Sequence, residues 1–126
     1  MGAGTPRPGV PVRGSASGRP VMAALDLLGR RWTMRILWEL HRTPAGFREL
    51  QRRCERMSSS VLSTRLDELT GARLLTLHSD GYHLTPLGAD LVEALSPLDA
   101  WSRRWARETD TDTETDTETD TAAAED

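Results

Sequence analysis

Residues 47–69 read FRELQRRCERMSSSVLSTRLDEL, and the three consecutive serines at 58–60 decide how the chain is folded. Serine triplets usually mark a loop, yet Leu62, Leu66 and Leu69 follow at the spacing of one helix face. Ahead of them, Phe47, Leu50 and Cys54 space a short helix, which leaves Glu55, Arg56 and Met57 as a tight turn. A short helix, a turn and a serine-led second helix make a helix-turn-helix. In that motif the second helix enters the major groove of DNA with its first residues at the base edges. Ser58 is the natural N-cap, its hydroxyl accepting a first-turn N–H for about 1 kcal/mol. With the leucines turned inward, Ser59, Ser60, Ser63 and Thr64 face outward, and Asp67 lies further along. Small hydroxyls let a helix N-terminus approach phosphate closely and hydrogen-bond base edges without strong preference. Arg65 lies near the back of the leucine stripe, placed either to reach phosphate or to pair with Asp67 or Glu68. Arg48, at the start of the short helix before the turn, completes the basic side of the surface.

The flanking sequence supplies the rest of a winged helix. Pro20 suits a first helical turn leading into Val21, Leu25 and Leu28, and Gly29 breaks that run. Trp32, Ile36, Leu37 and Leu40 give a second stripe that stops before Thr43-Pro44. The recognition helix should end near Thr70-Gly71, with Gly71 suited to the left-handed C′ position. Leu75 and Leu77, then Tyr82 and Leu84, alternate with polar residues about Asp80-Gly81, a strong two-residue hairpin signal. His78 and His83 flank that turn, where they could approach a phosphate. Thr85-Pro86 starts a further helix through Leu87, Leu91 and Leu95. Ser96-Pro97 either kinks it or begins another helix carrying Leu98, Trp101 and Trp105. The expected fold is mainly α with a small β-hairpin, a winged helix-turn-helix with added N- and C-terminal helices.

Charge is divided along the chain. All 16 basic residues are arginines, none beyond Arg107, while nine of the 19 acids lie from Glu108 onward. The overall charge of −3 therefore hides a basic body, the asymmetry common in nucleic-acid binders. Residues 1–18 are rich in Gly, Pro and Arg without periodicity and read as a disordered arm. Arg7 and Arg13, with Arg19 just beyond, could lie along phosphates or enter a minor groove. From Thr109 to Thr121 threonine alternates with an acid, which leaves no apolar face, so 108–126 is expected to be a disordered acidic tail. A DNA mimic competing for the chain's own basic surface is a second reading of that tail. The structured domain is accordingly placed at 19–107.

Other classes are disfavoured. No apolar run is long enough to cross a bilayer, and the N-terminus lacks the apolar stretch of a secretory signal, so a cytoplasmic location is expected. Cys54 stands alone, which rules out an internal disulfide and a Cys-based zinc site. His41, His78 and His83 are scattered, and His78 and His83 with Asp80 make too thin a donor set for a metal. No catalytic constellation, cofactor motif or metal site is expected.

The chain resembles the HxlR-type winged-helix transcriptional regulators, relatives of the MarR group, over about residues 19–105. The resemblance rests on ALDLLGRRWTMRILWEL (24–40), FREL (47–50), MSSSVLSTRLDEL (57–69), HLTPLGADL (83–91) and LDAW (98–101). It implies a homodimer on a palindromic double-stranded operator, usually repressing a nearby gene. It implies dimerisation through the first and last helices, here Leu25, Leu28, Leu98, Trp101 and Trp105. A small-molecule effector, if the chain takes one, is expected in a cavity lined by those tryptophans. Many members sense oxidants through a cysteine before the first helix, where this chain has Arg19-Pro20. The TLHSDGYH wing is shorter than the family's and has Asp80 at its tip, and Gly46 and Ser60 replace residues that are often basic. Fewer phosphate contacts imply weaker, less salt-sensitive binding. The competing reading is a winged helix that works as a protein-interaction module.

Overall fold

The computed structural model describes residues 5–12 and 18–117, with side chains to residue 110. The elements run α1 (Pro20–Leu28), α2 (Thr33–Arg42), α3 (Phe47–Arg53), α4 (Ser59–Gly71), β1 (Leu75–His78), β2 (Gly81–Leu84) and α5 (Pro86–Thr117). This is the mainly helical winged helix-turn-helix expected from the sequence. The chain divides into two compact units, Met1–Val92 and Glu93–Asp126.

The first unit is built on leucine. Ile36 and Leu37 of α2, Leu50 of α3 and Leu62, Leu66 and Leu69 of α4 are almost wholly buried in one cluster. Cys54 and Met57, on either side of the helix-turn-helix turn, are buried in the same cluster. Three arginines bind the α2–α3 corner. The Arg53 guanidinium donates to the carbonyls of Glu39, Thr43 and Pro44 at 3.2, 2.8 and 3.4 Å, satisfying the C-terminal end of α2. Arg35 and Arg42 hold the buried Glu39 carboxylate at 2.8 and 3.0 Å.

Both helices that flank the motif's turns end in Schellman motifs closed by residues other than glycine. At the end of α3 the Arg56 N–H donates to the Gln51 carbonyl and Glu55 N–H to Arg52, with Glu55 at φ 58°. At the end of α4 the Leu74 N–H donates to Leu69 and Arg73 N–H to Thr70, with Arg73 at φ 67°. The C′ residue is thus Arg73, not Gly71. Gly71 stays helical, and a Cβ there would lie 3.2 Å from the Thr5 hydroxyl. Its hydrogen side chain makes room for residues 5–12, part of the stretch read as an arm. Thr5 Oγ1 donates to the Glu68 carbonyl at 3.2 Å, and Pro6 is buried. Arg13 lies outside the described residues.

The hairpin is antiparallel, pairing Leu75 with Leu84 and His78 with Gly81. Its loop is therefore Ser79-Asp80, one residue earlier than the Asp80-Gly81 expected. Gly81 begins β2 at φ 129°, and a Cβ would sit 2.6 Å from the Ala45 carbonyl carbon. That close approach lets Ala45 and Tyr82 exchange two backbone hydrogen bonds, at 3.3 and 2.8 Å. A single residue of the α2–α3 loop thereby serves as the sheet's third strand. Thr85 joins wing to α5, its hydroxyl donating to the Arg73 carbonyl at 2.8 Å and accepting from Gly88 N–H at 3.0 Å.

Helix α5 continues through Pro97 without a break, so no separate sixth helix forms, and it takes in the acidic segment as far as Thr117. Residues 118–126 of the acidic tail lie outside the described residues. In the second unit Leu98, Trp101 and Trp105 are exposed, and the two indoles stack at 5.3 Å between centroids.

Candidate nucleic-acid interface

Ser58 has extended backbone angles and accepts from the Val61 N–H at 3.2 Å, which satisfies one of the free donors of α4's first turn. Ser59, Ser60, Ser63 and Thr64 are all exposed, while Leu62, Leu66 and Leu69 are buried. One of them is held in place. The Gln51 amide donates to the Met57 carbonyl at 3.1 Å and to Ser59 Oγ at 3.0 Å. While its oxygen accepts from Gln51, the Ser59 hydroxyl keeps its own hydrogen to donate. Nothing in the motif's leucine spacing pointed to Gln51. Its signal is positional, an amide one turn before the helix-turn-helix turn.

The basic residues separate into two groups. Arg48 and Arg56 are exposed and make no ion pair among the described residues. Arg52 is also exposed and pairs with Glu49, whose carboxyl is held below its usual range by Arg52 first and Arg53 second. Arg65, by contrast, turns back onto the body of the domain. Its Nε donates to the Arg31 carbonyl at 2.7 Å and its Nη1 to Glu68 at 3.3 Å. Arg30 takes the other Glu68 oxygen at 2.7 Å, so the recognition helix is bolted to the α1–α2 connection by a half-buried pair of guanidiniums.

The wing is polar but not basic. His83 lies 2.8 Å from Asp80, which holds the Asp80 carboxyl below its usual range, and the His78 ring meets His83 edge-on at 4.7 Å. Leu77, expected to alternate inward with Leu75, is 61% exposed beyond the core's edge. Among the described residues no group of three potential ligands is placed to hold a metal. Cys54 is sealed in the core, and burial pushes its thiol above the ordinary value. Of the expected dimer contacts, Leu25 is 57% exposed on α1, while Leu28 packs partly against the core. Among the described residues no helix is long and apolar enough to cross a membrane.

Comparison with known proteins agrees with this geometry. The sequence model for "HxlR-like helix-turn-helix" matches residues 27–110. Quinone-bound YodB from B. subtilis is 28% identical over 67% of this chain and 96% of that one, with a TM-score of 0.63. A possible HxlR family transcriptional factor from Thermoplasma volcanium GSS1 is 29% identical over 67% and 82%, at 0.61. A MarR-family transcriptional regulator from Enterococcus faecalis V583 is 28% identical over 71% and 87%, at 0.63. No curated protein sequence matches. These relatives are regulators of transcription rather than enzymes. The chain belongs to the HxlR-like helix-turn-helix family of DNA-binding transcriptional regulators.

Proposed function

We propose that the chain is a cytoplasmic bacterial repressor that binds a palindromic operator as a homodimer, with α4 in the major groove. The observation that carries this reading is the outward edge of α4. Four small hydroxyl side chains stand exposed at a capped helix N-terminus, with the free guanidiniums of Arg48 and Arg56 nearby in sequence. Ser59, Ser60, Ser63 and Thr64 read base edges while Ser58 holds the helix start. Arg48, with Arg56, contacts phosphate. Arg65 positions α4 through Arg31 and Glu68 rather than touching DNA. His78 and His83 flank the groove at the wing and contribute little phosphate contact, because Asp80 is the nearer partner of His83. Support for the dimer is apolar exposure in each unit, Val21 and Leu25 in the first and Leu98, Trp101 and Trp105 in the second.

Fluorescence anisotropy on a duplex from the gene's own upstream region tests this. Affinity should fall with salt, and Ser59→Glu/Ser60→Glu/Thr64→Glu should abolish binding while leaving the fold intact. Failure to bind any such duplex at low salt, with or without residues 108–126, defeats the proposal. The second reading, a protein-interaction module, has one specific observation in its favour. The wing presents exposed Leu77 beside an acidic tip where a DNA-contacting wing is basic.

A further inference from the structure

Of the three charged residues of α4, Arg65, Asp67 and Glu68, only Glu68 is buried. Its two carboxylate oxygens are taken separately. Arg30 Nη1 donates to Oε2 at 2.7 Å and Arg65 Nη1 to Oε1 at 3.3 Å. Each guanidinium also grips a second acceptor. Arg30 Nη2 reaches Asp26 Oδ2 of α1 at 3.5 Å, and Arg65 Nε donates to the Arg31 carbonyl at 2.7 Å. Because Arg30 and Arg31 are neighbours in the chain, these contacts close into a ring that joins α1, the α1–α2 connection and α4. No side chain in its ion pairs is more than 19% exposed.

Such a ring adds little to stability, because taking these ions out of water costs about as much as their attraction returns. What it supplies is direction. Leu62, Leu66 and Leu69 hold α4 by apolar contact, which has no preferred angle and tolerates a small roll of the helix. Charge-assisted hydrogen bonds to planar guanidiniums do not tolerate it. Thr64 lies about one helical turn before Glu68 and Ser60 about two turns before it. A roll of α4 about its axis therefore carries the hydroxyl edge sideways.

We propose that Arg30, Arg65 and Glu68 are positioning residues for sequence specificity. Their ring fixes the roll of α4 and so selects which base edges Ser59, Ser60, Ser63 and Thr64 meet. None of the three touches DNA. The proposal rests on the regulator reading above, with α4 in the major groove. Phosphate contacts orient a protein on duplex without reading its sequence. The ring accordingly governs the ratio of affinities for operator and unrelated duplex, rather than affinity as such.

Anisotropy titrations of the full chain on the upstream duplex, and on a shuffled duplex of equal composition, read that ratio. Glu68→Gln and Arg30→Met should each lower it by about tenfold, the effect of roughly one mismatched base pair. These two variants move the net charge in opposite directions, so a purely electrostatic effect would strengthen binding in one and weaken it in the other. Partial unfolding lowers both affinities of a variant alike and leaves its ratio as it was. Arg65→Lys keeps the charge and should fold normally, but an ammonium cannot span the Arg31 carbonyl and Glu68 as the guanidinium does. It should lower the ratio in the same direction, whereas a phosphate-contacting Arg65 would be replaced by lysine at little cost. Where the wild type discriminates, a ratio unchanged in Glu68→Gln or in Arg65→Lys overturns the proposal. Opposite shifts in Glu68→Gln and Arg30→Met, equal on the two duplexes, overturn it as well. A wild type that binds both duplexes equally, or neither, defeats the regulator reading and this proposal with it.

Discussion

Gln51 uses both hydrogens of its side-chain amide to hold the start of the recognition helix, one on the Met57 carbonyl and one on Ser59 Oγ. Gln51→Ala should therefore weaken duplex binding by roughly threefold to tenfold, about one hydrogen bond's worth, with the circular dichroism spectrum unchanged. Unaltered affinity in anisotropy would show that Ser59 needs no such orientation. Cys54 illustrates the opposite kind of residue. Its sulfur is fully buried and its thiol is raised by that burial, so at neutral pH it is protonated and out of reach. Alkylation by iodoacetamide at pH 8, followed by mass spectrometry, should be at least about a hundredfold slower in the native chain than in urea, because it waits on unfolding. Rapid native labelling would contradict that burial.

At the scale of the element, the ends of helices hold the contrast between what the sequence disclosed and what it withheld. Ser58 and Thr85 were legible as caps because a cap depends on residues within one turn, and the Leu62–Leu66–Leu69 stripe was legible because its period is local. Gly71 misled for the converse reason. It looks like a left-handed terminus, but its small size serves Thr5, 66 residues away in the chain, and the left-handed position falls on Arg73. Arg73→Gly should consequently stabilise the fold by about 1 kcal/mol in urea denaturation, relieving the φ of 67°. Gly88 runs the other way: a Cβ there would lie 2.2 Å from the Leu74 carbonyl oxygen. Gly88→Ala should cost about 1–3 kcal/mol by the same measurement, since backbone on both sides has to move. The Arg53 contacts to three α2 and loop carbonyls were equally invisible beforehand. Any of several arginines in QRRCER could have made them, and only packing selects one. For the site, the outward serines could be read from periodicity, whereas the inward turn of Arg65 depends on the Arg31 carbonyl and Glu68.

For the whole molecule, the second unit leaves Leu98, Trp101 and Trp105 on one exposed stripe. If that stripe holds two copies together, Trp101→Ala/Trp105→Ala should convert a dimer into a monomer at micromolar concentration in sedimentation velocity, with loss of operator affinity. A dimer that persists in the double variant would place the interface elsewhere. Within the first unit, the Ala45–Tyr82 bridge has a consequence for how such a regulator diversifies. The wing is pinned to the α2–α3 loop by main-chain atoms, so its pitch does not depend on which side chains its tip carries. Substitutions at residues 77–80, acidic or basic, should therefore leave the main-chain bridge and the orientation of the wing in place. The side chains of the tip and the orientation of the wing are thereby decoupled.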